Sequence, residues 1–138
     1  KSRAMLAIKN DDKVATTTAA NIIKIFRGKN KNLFASCTLD NGGEFAQHET
    51  IAKKLNADTY FCDPYSSYRK GSVEQGNGVV RAELPRETDL GNMAQSEINK
   101  LMKEINNRPM ELHEGASPSE IFRMMAEDQM GGFVALQI

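Results

Sequence analysis

The stretch Phe34-Ala-Ser-Cys-Thr-Leu39, followed at once by Asp40-Asn-Gly-Gly43, decides the fold. Its first six residues have the length and apolar character of a buried strand. The next four are a turn, because Asp-Asn-Gly favours a reversal and paired glycines let the backbone swing away. On the N-terminal side, Thr16 to Arg27 carries Ala19, Ile22, Ile23 and Phe26 at helical spacing, and Gly28 closes that helix. Further back, Arg3 to Lys9 reads as a strand that Asn10-Asp11-Asp12 breaks. On the C-terminal side, Glu44 to Leu55 reads as a helix and Thr59 to Cys62 as another short strand. Strands alternating with helices imply parallel pairing through right-handed crossovers, and hence an α/β fold.

In such sheets, sites form beyond the carboxyl ends of strands. Asp40 stands one residue past an apolar run, which puts its carboxylate at that end. The plain alternative is a turn-forming aspartate, since the tripeptide is common in turns. Pro64 to Gly71 is a polar loop holding Tyr65, Tyr68, Arg69 and Lys70, residue types that stack on bases and hold phosphates but also occur in ordinary surface loops. Ser72 to Leu84 is a predicted helix with Ser72 as N-cap and Pro85 beyond its end. Glu74 lies in its first turn, 34 positions after Asp40, and Asn77, Gly78 and Arg81 share its face. Gly78 weakens a helix, which points to a close backbone approach along that face; a solvated face with a chance glycine is the alternative. Arg81 suits a phosphate, or a hydrogen bond back to Asn77.

Met93 to Asn107 forms a further amphipathic helix ahead of Pro109. The last helix runs from Ser117-Pro-Ser-Glu to Ala126, with Ser117 capping, Pro118 at the first helical position and Glu120 completing a capping box. Gly131-Gly132 precedes a hydrophobic tail, Phe133 to Ile138, so the chain divides into a body at 1–126 and a tail at 127–138. Met102, Met124 and Met125 are expected to fill the core.

A chain of 138 residues is one domain at most, and 40% hydrophobic with 26% charged residues is a globular composition. No apolar run is long enough to cross a bilayer, so the chain reads as soluble, with no membrane partner. It starts at Lys1 without a leader or initiating methionine, which suggests a processed product or part of a longer chain. Eighteen basic and eighteen acidic residues cancel, which argues against a protein that coats nucleic acid. The distribution is uneven: Lys1 to Cys37 holds eight basic and two acidic residues, whereas Ala82 to Ile138 holds five and ten. Lys24, Arg27, Lys29 and Lys31 read as a solvated helix face and loop that could also meet phosphates. Cys37 and Cys62 lack zinc spacing and suit buried thiols in a reducing cytoplasm. His113-Glu114 lacks the second histidine of a metalloprotease helix, and Asp63 suits a cap on the Pro64 turn.

Taken in order, Thr38-Leu-Asp-Asn-Gly-Gly-Glu-Phe45, Asp63-Pro-Tyr-Ser-Ser67, Lys70-Gly-Ser-Val-Glu-Gln-Gly-Asn-Gly78 with Arg81 and Pro85, Asn106-Asn-Arg-Pro109, and Ser117-Pro-Ser-Glu-Ile-Phe122 resemble the integrase-core transposases of bacterial insertion sequences. The resemblance is nearest to the IS-thirty family and extends to Val134-Ala-Leu-Gln137. It implies a ribonuclease-H-like integrase core with C-terminal helices, and a DDE recombinase that cleaves DNA strands and transfers them, as in transposition and DNA integration. It makes Asp40 the second catalytic aspartate and Glu74 the glutamate, both ligands of Mg2+ or Mn2+ in a two-metal site. Tyr68, Arg69, Lys70, Asn77 and Arg81 become the DNA-binding candidates. The partners implied are double-stranded DNA, both transposon ends and target, and further copies of the chain, in a bacterial cytoplasm.

Departures from that pattern carry their own expectations. The first aspartate and the first two strands of the core would lie before Lys1, so the core here is incomplete and this stretch alone is expected to be inactive. Asp11 and Asp12 follow what should be an edge strand and are poor substitutes. With sheet order three, two, one, four, five, the Arg3 and Phe34 strands are separated by a gap of two, leaving backbone groups unpaired. The gap is expected to collapse by non-native pairing, or to recruit the Phe133 to Ile138 segment or a partner chain. Met110-Glu111 stands where many relatives carry basic residues, which removes the basis for a phosphate contact there. A non-catalytic remnant or interaction module is the alternative reading.

Overall fold

A computed structural model describes residues 2–26, 34–62, 71–84, 87–127 and 135–136. The elements are β1 (Met5–Leu6), α1 (Ala15–Phe26), β2 (Ser36–Leu39), α2 (His48–Leu55), β3 (Asp58–Phe61), α3 (Gly71–Glu83), α4 (Gln95–Asn106), α5 (Pro118–Glu127) and β4 (Ala135–Leu136). This is the mixed α/β arrangement the alternating pattern implies. No helix among the described residues is long and apolar enough to cross a membrane.

The main core is built from the middle of the chain. Helix α1 buries Thr18, Ala19, Ile22 and Phe26 along one stripe, with Ile23 packed beside it. Opposite lie Cys37 and Leu39 of β2 and Ile51 and Leu55 of α2, and Phe34 stacks on Phe26 at a centroid distance of 4.3 Å. The expected helix over Glu44 to Leu55 is broken in two: a 3-10 turn over Gly43–Phe45, then α2. Two free thiols remain: Cys37 is buried, which pushes its pKa up to about 11, whereas Cys62 is only half-buried.

Strands β2 and β3 pair in parallel, Ser36 opposite Asp58 through Leu39 opposite Phe61. Helix α2 makes the crossover between them. Strand β1 belongs to a separate two-stranded sheet and pairs in parallel with β4, Met5 opposite Ala135 and Leu6 opposite Leu136. The separation of β1 from β2 matches the expected gap, and the tail supplies a strand at Ala135–Leu136.

The other edge of β1 is covered in a way the sequence pattern did not suggest. In extended backbone the N–H and C=O of one residue leave toward the same edge, so Met5, Ala7 and Lys9 share an edge. The Met5 N–H donates to Asn106 Oδ1 at 2.8 Å, and Asn106 Nδ2 donates to the Met5 carbonyl at 2.7 Å. Gln95 repeats the arrangement, its Oε1 accepting from Lys9 N at 2.7 Å and its Nε2 donating to the Ala7 carbonyl at 3.1 Å. Eleven residues make close to three whole turns, so both amides fall on one face of α4. They stand in for a neighbouring strand, and the predicted Arg3 to Lys9 strand is therefore regular only at Met5–Leu6. Arg3, at φ 60, turns the chain away on its other side.

At the C-terminal end the predicted capping box is present. Ser117 N donates to Glu120 Oε2 at 2.8 Å, and Glu120 N donates to Ser117 Oγ at 3.3 Å. Met102 is buried as expected, but Met124 is exposed: it lies on the outer face of α5 and is not a core residue.

Candidate active site

Asp40 follows β2 directly, at the carboxyl end of the β2–β3 pair, and is exposed. Its Oδ1 accepts the Gly42 N–H at 3.0 Å, which fixes one carboxylate oxygen at the start of the turn. Asn41 Nδ2 donates to the Cys62 carbonyl at 2.9 Å, tying the turn to the end of β3. The turn therefore hangs between two parallel strand ends, the usual place for a site in such a sheet. Gly42 has ordinary extended backbone, φ −69 and ψ 144, so conformation does not require glycine there. A Cβ there would stand 2.9 Å from Asp40 Oδ1 and closer still to the Glu44 carboxylate, so those side-chain ends would have to shift to admit one. Glu44 thus brings a second carboxylate beside Asp40. Sequence reading gave it no role, although its place four residues after Asp40 in a Gly-Gly turn was the available signal.

Glu74 is exposed in the first turn of α3, and Arg81, seven residues on, is exposed on the same side. Asn77 is half-buried. Arg81 makes none of the described hydrogen bonds or ion pairs, so the bond back to Asn77 is not formed. Of the helix glycines, the close approach is at Gly76, where a Cβ would meet Met5 Cε at 3.1 Å; at Gly78 it would meet nothing within 4 Å. The expectation of tight packing at Gly78 is corrected accordingly: Gly76 faces β1, and Gly78 faces outward. Tyr68, Arg69 and Lys70 lie outside the described residues.

The described hydrogen bond of Asp40 stays within its own turn, and α3 meets Met5 of β1 at Gly76, β4, and Arg108 at Glu83. Among the described residues no group of three His, Cys, Asp or Glu side chains could close on a metal ion. Both histidines are engaged structurally: His48 sits edge-on to Phe61 at 4.9 Å, and His113 Nε2 lies 3.0 Å from the Ser2 carbonyl.

Comparison with curated proteins gives the chain relatives over most of its length. The transposase for insertion sequence element IS4351 of Bacteroides fragilis is 36% identical over 107 residues, covering 78% of this chain and 33% of the relative. The transposase for insertion sequence element IS1086 of Cupriavidus metallidurans is 35% identical over 124 residues, 87% of this chain and 35% of the relative. Over most of its length the chain matches part of the transposases of bacterial insertion sequences. Transposase InsI for insertion sequence element IS30A of Escherichia coli is 30% identical over 121 residues, 88% of this chain and 32% of the relative. No protein-family model matches. The chain spans about a third of the length of the curated relatives it matches.

Asp40 and Glu74 are solvent-reachable carboxylates, and hard oxygen donors of this kind suit Mg2+ or Mn2+, which retain waters and need few protein ligands. The donor chemistry fits.

Proposed function

We propose that this chain is the C-terminal part of a DDE transposase core with a ribonuclease-H-like fold, and that Asp40 and Glu74 are its two contributions to a three-carboxylate site. The observation that carries the reading is Asp40 at the carboxyl end of a parallel strand pair, in a chain whose relatives are transposases over most of its length. The substrate is double-stranded DNA at transposon ends and target, and the active form is a multimer. The reaction is in-line hydrolysis of a phosphodiester, followed by attack of the freed 3′-hydroxyl on target DNA.

In that role the Gly42 N–H orients the Asp40 carboxylate through Oδ1, and Glu74 presents a second carboxylate from the first turn of α3. Two divalent ions, when bound, would supply charge neutralisation at the phosphate and activation of the attacking oxygen. Arg81 and Asn77, on the Glu74 side of α3, hold and orient the strand, with Tyr68, Arg69 and Lys70 stacking and pairing along its backbone.

The test is manganese-dependent nicking of transposon-end DNA by the full-length product, with Asp40→Asn and Glu74→Gln beside it. Both side chains are exposed, so the variants should fold normally and lose nicking. Nicking that survives either substitution sinks the site assignment. A full-length product inert in every form returns the chain to the remnant reading.

A further inference from the structure

The segment Asn106-Asn-Arg108 makes two contacts that hold α3, and neither belongs to the carboxylate site. Asn106 grips the Met5 backbone, and the Met5 thioether in turn lies against Gly76, where a Cβ would be 3.3 Å from Sδ. Two residues on, Arg108 makes a two-pronged fork to Glu83 in the last turn of α3, Nη1 to Oε1 and Nη2 to Oε2, the second at 2.7 Å. The C-terminal end of α4 thus reaches α3 at two places, through Met5 at its middle and through Arg108 at its last turn.

Helical geometry says which face is held. Gly76 and Glu83 are seven residues apart, so they lie within about 20° of one another around the axis. Glu74 precedes Glu83 by nine residues, two and a half turns, which places it on the opposite side. Helix α3 is therefore fastened along one face while Glu74 projects from the other. A single exposed ion pair adds little stability, and these side chains are 50% and 29% exposed. A planar fork on both carboxylate oxygens fixes direction, however, because guanidinium and carboxylate must be coplanar to make both bonds. It also commits one N–H of each terminal nitrogen of Arg108, the paired edge with which a guanidinium would otherwise fork onto a phosphate.

We infer that Arg108 is a positioning residue: acting through Glu83, it sets the rotation of α3 about its own axis and so the aim of Glu74, and it does not contact DNA. The inference rests on the proposed role of Glu74, but the clamp is measurable without activity.

The experiment uses the full-length product with Glu83→Ala, Arg108→Ala and the reciprocal pair Glu83→Arg with Arg108→Glu. Amide exchange is followed over residues 71–83, together with the salt dependence of DNA binding and manganese-dependent nicking. Each alanine variant should speed exchange in the last turns of α3 by roughly threefold. Nicking should fall equally in both single variants, and the reciprocal pair should restore exchange and nicking together, with the salt slope unchanged throughout. The inference is overturned if Glu83→Ala changes nothing while Arg108→Ala lowers the log–log salt slope by about one, the mark of a lost phosphate contact. It is overturned equally if the reciprocal pair fails to restore exchange. Absence of nicking in the unmodified protein counts against the proposed function alone, since exchange still decides the clamp.

Discussion

Replacing Asn106 with alanine removes a side chain that completes the edge of a strand. Two bonds are lost at once, 2.8 Å from the Met5 N–H and 2.7 Å to the Met5 carbonyl, both partly buried. A stranded backbone group costs about 1–3 kcal/mol when fully buried, and the lower half of that range applies where water can enter, so the pair is worth about 2–4 kcal/mol. Alanine is the better helix former by about 0.6 kcal/mol, which leaves a net loss of about 1.5–3.5 kcal/mol. The neighbouring Asn107 is exposed and makes no described side-chain bond, so Asn107→Ala should change stability by no more than about 0.5 kcal/mol. Asn106→Asp should fall between them, because the carboxylate still accepts from Met5 N but sets an oxygen against the Met5 carbonyl. Urea unfolding followed by far-UV circular dichroism measures all three, with equal m-values as the check on two-state behaviour. If Asn106→Ala costs no more than Asn107→Ala, the amide is not standing in for a strand and the description of β1 is wrong.

Gly42→Ala should leave stability within about 1 kcal/mol, since its backbone is ordinary, yet displace the Asp40 carboxylate and lower metal-dependent nicking about tenfold or more; plasmid nicking set beside a thermal melt checks both halves. Gly78→Ala, with open space around the added methyl, should stabilise α3 by about 0.5–1 kcal/mol. If DNA runs along that face, the same variant should weaken binding in a fluorescence titration. Ser117→Ala should cost about 1 kcal/mol in the same urea assay, by removing the oxygen that caps α5. Glu120 is held below its ordinary carboxylate range, first by the Ser117 backbone N–H and then by the Ser117 hydroxyl. Its contribution is therefore complete above the ordinary glutamate pKa and lost as pH falls through the lowered one. Glu120→Gln should make melting temperature less sensitive to acid over that window, and an unchanged acid slope would contradict the cap.

Local physics was legible in the sequence, and distant partnership was not. The α1 stripe followed from apolar spacing, the Asp40 turn from two glycines after a strand, and the α5 start from Ser117 and Glu120. Each of these signals lies within a few residues of its effect. Asn106 and Met5 are 101 positions apart, and an amide on a helix leaves no periodic trace of the backbone it will meet. For the same reason the Glu83–Arg108 fork was missed, although both residues stood in plain sight. Gly76 and Gly78 look alike in a sequence; only the approach of Met5 distinguishes them. Glu44 read as part of a continuous helix, and the break at Ala46 and Gln47 turned it toward Asp40 instead. At the site the sequence named Asp40, Glu74, Asn77 and Arg81 on two elements, and it had no means of giving the distance between those elements.

The pairing of Met5 with Ala135 joins positions 130 residues apart through a ladder only two residues long. Closing so long a segment of unstructured chain costs about 4 kcal/mol in entropy beyond the constant for a short loop, while a few backbone bonds return about 1 kcal/mol each. Such a ladder cannot nucleate anything. The crossover from β2 through α2 to β3 is local and should form early, with α3 and α4 docking on β1 before the chain end arrives. Strand β4 is thus the last piece to join and the first to leave, which makes the state of the C-terminus a reporter of whether the rest has already assembled.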